Sequence, residues 1–463
     1  MFTPFNIGLS VAVLGIVALS VYTGTGKKKS LTALNTPLVT GLILGTLVGG
    51  SSTIGTAQMA YNYGLSACWF TFGGALGCLA LALVYAKPLR AKQPKTLIGA
   101  IADEYGENVG VTATVLNAFG TFINVFAQLL AASAVIDVVI HGISTYEAIL
   151  IAATTMLLYV IFGGTRGAGI VGLLKLFLIS LAMVSCGLIA CYLMNQAGGV
   201  LNTFFKVSAE SGRNFLDPFC RGFGLDAGAG LSLILGVLTT QTYAQAILAA
   251  RSDKAAVTGA LVSSVVMTAI GLLGIFVGLY MRTVTDPSVF VAKTALTAFI
   301  SDYSGLSPAL AGLFLGALFI TSVGTGAGLA LGIATMIEKD ILAKPLRSMP
   351  KLKPCVNKIL IAVILFVATT LGLSSLGDSI FKFSFLSMGL RGCTVFAPLC
   401  FALWASGKVH ARWAMRSIIA GSLTTLALGV LNLTGTITLP FDAVFIGILI
   451  GLGIMTLGYK LSR

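Results

Sequence analysis

The chain has 463 residues, 57% of them hydrophobic and 10% charged, with a mean hydropathy of +0.98. That balance excludes a soluble globular domain and points to one polytopic membrane bundle. A formal charge of +14 would suggest nucleic acid in a soluble protein; here it sits in loops between apolar spans, so topology accounts for it and no nucleic-acid partner is expected.

Hydropathy gives thirteen spans: 5–22, 38–61, 66–85, 109–140, 146–162, 169–194, 228–249, 256–281, 308–337, 356–373, 379–404, 415–433 and 441–459. No basic residue precedes the first, and no small-residue cleavage site follows it. It reads as a retained peripheral helix rather than a signal peptide. The other twelve are core helices one to twelve. One set of alternate loops holds 21 of the 29 lysines and arginines, and the opposite set holds six. The basic side is expected to be cytoplasmic, which places the N-terminus outside and the C-terminus inside an integral cytoplasmic membrane protein. On the other side, loops 197–226 and 282–307 are longest, and 289–300 reads as a short interfacial helix. The eight cysteines lack metal-ligand spacing, and no structural disulfide is expected. His141 and His410 lie near span ends, so no histidine-based metal site is expected.

Core helix one carries the stretch LGTLVGGSSTIGTAQMAYNYG at 44–64. Its Gly49-Gly50 pair and three successive hydroxyls, Ser51 to Thr53, make a poor lipid-facing helix. Two readings stay open: a helix broken around a solute or ion cavity, or small residues letting two helices touch. Core helix six carries a second polar cluster, Thr239-Thr240-Gln241-Thr242-Tyr243 with Gln245. These groups either meet a solute or, for the threonines, bond back to their own helix.

Four stretches resemble the sodium:solute symporter family. They are 44–77, running on through AYNYGLSACWFTFGGALG; YVIFGG at 159–164; QAILAARSDK at 245–254; and GTGAGLALGIATMIEKDI at 324–341. The resemblance implies an all-α membrane protein of thirteen transmembrane helices with a LeuT-like fold. A peripheral helix and loop (1–36) would precede two inverted five-helix repeats (37–196 and 197–405), then two C-terminal helices (406–463), all one transporter domain. Core helices one and six would be broken at the binding site. The function implied is symport of a small organic solute by alternating access, coupled to an ion gradient, in a monomeric transport unit. Carried over by position, the solute site would use Ser51, Ser52, Thr240, Gln241 and Thr242. A sodium site would use the carbonyls of Gly45, Val48 and Thr321 with two hydroxyls. Aligned on Asp340-Ile341, the hydroxyl positions are Gly324 and Thr325, so one hydroxyl is missing. A slipped alignment would use Thr321 and Ser322 and restore both. Sodium wants about five or six oxygens, so the loss matters. An aspartate common in core helix five is Gly172 here, and an arginine that commonly follows Gln245 is Ala246.

Two charges fall inside spans. Arg391 lies about 20 Å from either end of core helix ten, too deep for easy snorkelling. It would bind a substrate carboxylate, act as a gate, or pair with Asp137 or Asp378. Lys175 lies one helical turn from Gly172. Its ammonium could replace sodium, donating to core helix one and Thr325, and a buried ammonium can exchange a proton during a cycle. Alternatively it snorkels the roughly 10 Å to the cytoplasmic side. The leading expectation is therefore proton coupling or sodium-independent transport, with ordinary sodium coupling as the alternative and a solute sensor on the same fold as a second. No cofactor beyond Na+ or H+ is expected. No catalytic triad, phosphate loop or HExxH is present, so an enzyme is not expected. Nor do repeated polar rings suggest a channel.

Overall fold

A computed structural model describes residues 3–25, 34–140, 142–163, 168–342, 345–348, 353–372 and 380–462. His141, Asp378, Gly164 and the basic residues at 27–29 lie outside them. Among the described residues the chain is all-helical; the only β-type contact is a single bridge between Leu34 and Ala250.

The principal helices are α1 (Pro4–Thr25), α2 (Thr36–Leu47), α3 (Gly50–Tyr63), α4 (Cys68–Ala80), α5 (Glu107–Val139), α6 (Thr145–Gly163), α7 (Ala168–Gln196) and α8 (Phe223–Leu238). They continue with α9 (Gln241–Ala249), α10 (Asp253–Val284), α11 (Pro308–Met336), α12 (Lys353–Gly372), α13 (Ile380–Trp404), α14 (Ala411–Leu433) and α15 (Val444–Leu461). Every span read from hydropathy is helical over most of its described part. By length and composition, nine helical stretches among the described residues can cross a membrane, or ten when the bent pair α8 and α9 is one span. The thirteen-span reading exceeds that count. Three of its members are shorter apolar segments here: Pro4–Gly15, Thr36–Leu47 and Thr145–Val160.

Two breaks organise the bundle. Between α2 and α3, Val48 leaves helical geometry at ψ 93° and Gly49 is fully extended. Glycine suits the second position because a Cβ there would lie 2.7 Å from Gln128 Oε1 and 2.9 Å from Thr325 Cγ2. Between α8 and α9, Thr239 and Thr240 leave the helix, and the axis bends by 45°. α5 lies behind the first break and packs on α11 and α13, while α2 packs on α7. That last contact is close because glycine faces glycine, Gly45 against Gly172.

The expected interfacial helix at 289–300 is corrected by the structure. Ala295–Ala298 is helical and continues as a wider turn through Phe299–Tyr303, but residues 295–300 are buried against α3 and α5 rather than lying on a surface. The apolar residues of its second half are consumed by the core, while Val289 and Val291 stay exposed. All eight cysteines are unpaired.

Candidate solute and ion sites

The break between α2 and α3 exposes backbone groups that need partners. Ser52 serves the break itself. Its Oγ accepts from the Gly49 N–H at 3.0 Å and lies 3.2 Å from the Leu47 carbonyl oxygen. Thr53 Oγ1 donates back to the Gly49 carbonyl at 3.0 Å. Ser51 is bound from outside its helix: Gln128 Nε2, on α5, donates to Ser51 Oγ at 2.6 Å. The same amide's Oε1 accepts from the N–H of Gly50 at 2.9 Å.

Gln128 was missed in the sequence, yet a signal was present. Asn117, Thr121, Asn124 and Gln128 recur at steps of four, three and four, so they share one face of α5. All four are buried. Asn117 Oδ1 has no partner among the described residues, and neither do Thr242 Oγ1 and Thr321 Oγ1. Orphaned buried acceptors mark places where water or a ligand belongs.

At the second break the threonines divide. Thr239 Oγ1 donates to the Leu235 carbonyl at 2.7 Å, so it bonds back to its own helix. Thr240 Oγ1 donates to the Gly236 carbonyl and also accepts from Arg391 Nη1 at 2.7 Å. Gln241 turns away from both breaks; its Oε1 accepts from the Leu97 N–H at 2.7 Å. That leaves it a latch between α9 and the loop before residue 99 rather than a free solute-binding oxygen. Removing it in Gln241→Ala strands the Leu97 N–H. An unpaired buried donor costs about 1–3 kcal/mol, so amide exchange across 96–99 should rise by about tenfold or more in hydrogen–deuterium exchange. Unchanged exchange there would refute the latch.

Arg391 is 1% exposed. Its Nε donates to the Ser387 carbonyl at 3.3 Å, and Nη2 rests 2.7 Å from the thioether of Met388. The ion pair considered with Asp137 is not made: Asp137 pairs with Lys293 at 3.5 Å. Asp378 lies outside the described residues.

Lys175 is 3% exposed and does not snorkel. Its Nζ donates to the Gly45 carbonyl oxygen and, at 2.7 Å, to Thr325 Oγ1. A Cβ added at Gly324 would lie 3.8 Å from that nitrogen and 3.5 Å from the Tyr159 hydroxyl. A cavity of about 60 Å³ adjoins it, lined by Gly45, Tyr159, Gly172, Lys175 and Gly324 among others. Val48, by contrast, ends α2, and its N–H is spent on the Leu44 carbonyl. Of the slipped-alignment pair, Ser322 Oγ donates to the Leu318 carbonyl at 2.9 Å. The ion pairs among the described residues involve neither Lys175 nor Arg391.

On the face carrying the basic loops, the helices are tied together. Arg90 donates to Asp253 at 2.6 Å and to the carbonyls of Ile247 and Ala250 at the end of α9. Asp340 accepts from Thr96 and Thr114. Burial raises the Glu104 carboxyl, but hydrogen bonds from Ser406, the Gly407 N–H and Lys92 outweigh it and hold the group below its ordinary range.

The pattern of the sodium:solute symporter family matches residues 29–421. The chain belongs to that family. It is 28% identical over 367 residues to the uncharacterized symporter YwcA of Bacillus subtilis (strain 168), covering 73% of this chain and 68% of that one. It is 24% identical over 387 residues to the high affinity choline transporter 1 of Homo sapiens, covering 78% of this chain and 64% of that one. The chain therefore spans just under two thirds of the human relative's length. A substrate-bound, outward-open structure of a Na+-coupled sialic acid symporter superposes with a TM-score of 0.78 at 15% identity, over 99% of this chain and 98% of that one. At that identity the likeness shows the shared fold alone. This member of the symporter family is a membrane transporter, not an enzyme.

Proposed function

We propose that the chain carries a small organic solute across the cytoplasmic membrane by alternating access, and that Lys175 takes the place of a sodium ion. The unit is a monomer with its basic loops in the cytoplasm. Residues 37–196 and 197–405 act as inverted repeats, whose broken members are α2–α3 and α8–α9. The solute lies between the two breaks and the polar face of α5. Ser51, Thr240, Thr242 and Arg391 line it, joined by Asn117, Asn124 and Gln128. Ser52 shapes the first break instead, and Gln241 latches α9 to the loop before residue 99.

One observation carries the ion reading: Lys175 Nζ donates to the Gly45 carbonyl and Thr325 Oγ1. Both oxygens belong to the set that resemblance gives to sodium, and Gly324 offers no hydroxyl. An ammonium tethered there supplies the positive charge that would hold α2, α7 and α11 together. Losing its proton would release them. Transport is then driven by a proton gradient or runs without an ion gradient.

A second reading rests on Thr321, whose buried hydroxyl has no partner among the described residues. With the Thr321 and Val48 carbonyls it offers oxygens to sodium beside, rather than in place of, the lysine. Proteoliposomes separate the two. A metabolite that raises the unfolding temperature of the purified protein is supplied under a sodium gradient or a pH gradient, imposed separately. Uptake should follow the pH gradient or neither, and Lys175→Ala should lose any pH response. Strict sodium dependence overturns the lysine reading.

A further inference from the structure

Among the described residues, the second break gathers positive charge and no negative charge. α9 is nine residues long and begins at the break, with Thr240 at its N-cap position and no side chain capping its first turn. The uncapped N–H groups of a helix start carry about half a positive charge, and in a dry site they favour an anion. By itself such an end is no binding site. Arg391 supplies the independent observation. Its guanidinium is 1% exposed and bonded to Thr240 Oγ1, the N-cap residue itself. A guanidinium has five N–H donors. Here one finds Thr240, one finds the Ser387 carbonyl, and among the described residues the hydrogen-bond partner of Nη2 is the Met388 thioether, a weak acceptor. In the first turn of α9, Thr242 Oγ1 is also buried without a partner among the described residues.

A buried cation without an anion is among the costliest arrangements in a protein, more so within a membrane. Among the described residues no side chain supplies the anion. Among the described residues the fully buried carboxylate is Asp226, and it is paired with Arg221 at 2.7 Å. A planar guanidinium fork with free edge donors matches a carboxylate in two parallel bonds.

From this we infer that the transported solute is a small organic carboxylate, net anionic at neutral pH, whose carboxylate lies between Arg391 and the N-terminus of α9. The inference rests on the proposed transport function and names its substrate class. A cationic solute would meet Arg391 at close range with no acid to offset it. A zwitterion would bring an ammonium, and none of the residues bonded to Arg391 is a carboxylate.

The test uses the purified full-length protein and matched pairs of probes. Potassium acetate, pyruvate and benzoate are compared with acetamide, pyruvamide and benzamide by thermal unfolding. Potassium chloride and tetramethylammonium chloride are the controls. At least one acid should raise the midpoint while its amide does not. Arg391→Lys keeps the charge and loses the fork; where it folds, it should weaken that acid by at least about 30-fold. The comparison on the unmodified protein stands even where a variant fails to fold. Amides that match their acids, chloride that matches the carboxylates, stabilisation by tetramethylammonium, or a panel in which no acid acts would each overturn the inference. Failure here leaves the ion reading standing. Conversely, sodium-driven uptake of a carboxylate would remove the lysine reading and leave this one intact.

Discussion

Combining Lys175→Ala with Gly324→Ser should turn sodium-indifferent uptake into sodium-dependent uptake. The single change Lys175→Ala frees the Gly45 carbonyl and Thr325 Oγ1 and leaves both without their donor. An unpartnered buried group costs about 1–3 kcal/mol, so the single variant should lose stability and transport together. Serine at 324 supplies the absent hydroxyl. Its Cβ fits, since the nearest atoms are the Tyr159 hydroxyl at 3.5 Å and the lysine nitrogen, which the first change removes. The oxygens of Gly45, Val48, Thr321, Thr325 and the new serine would then approach the five or six that a hard monovalent cation prefers. Uptake by the double variant should be at least about tenfold faster in sodium than in potassium, an energy of about 1.4 kcal/mol. A folded double variant that ignores sodium would sink the idea that these oxygens form the ion site.

Gly172→Ala is expected to cripple folding. An added Cβ would sit 2.5 Å from the Gly41 carbonyl oxygen and 3.5 Å from Gly45 Cα. Both are backbone atoms, so no side chain can swing away, and α2 and α7 must separate. Overpacking of this kind costs about 1–3 kcal/mol and occasionally more; with backbone on the other side, the upper end applies. Gly172→Asp should be no milder, even though a carboxylate there would give Lys175 a counter-charge. The unfolding midpoint and the yield of monodisperse protein read both variants. A Gly172→Asp protein as stable as the parent would show that the helix contact is softer than the geometry says. The same contact accounts for glycine at 172: the close approach of α2 leaves no room for a side chain.

Much of the architecture could be read from the chain because it depends on local chemistry. Gly49-Gly50 pointed to the first break as one of two open readings, and the break at Thr239-Thr240 was implied by the family resemblance rather than by residue type. The depth of Arg391 and Lys175 followed from counting along apolar spans. What could not be read were partners far apart in sequence. Thr240 lies 151 positions from Arg391, and Gln241 lies 144 from Leu97. Nothing near Gln241 said that its amide would face a loop instead of a solute. Gln128 was legible in principle, because its helix repeats polar groups on one face, but attention to short motifs passed over a pattern spread across three turns. The segment at 289–300 misled for a related reason: an apolar run beside turn residues looks the same whether it lies on a surface or beneath one.

A mobile ion and a tethered ammonium do different thermodynamic work. Sodium released at the far side carries away the free energy of its own gradient. The Lys175 nitrogen cannot leave, because four methylenes bind it to α7. Under the proposed reading, only its proton can cross with the solute. If that proton never leaves, no second species moves and, with no membrane voltage, the inside concentration can only equal the outside one. If one proton leaves in each cycle, the concentration ratio is capped at about tenfold per pH unit, before any membrane voltage is counted. The length of one side chain thus sets a ceiling on how far this carrier can fill a cell.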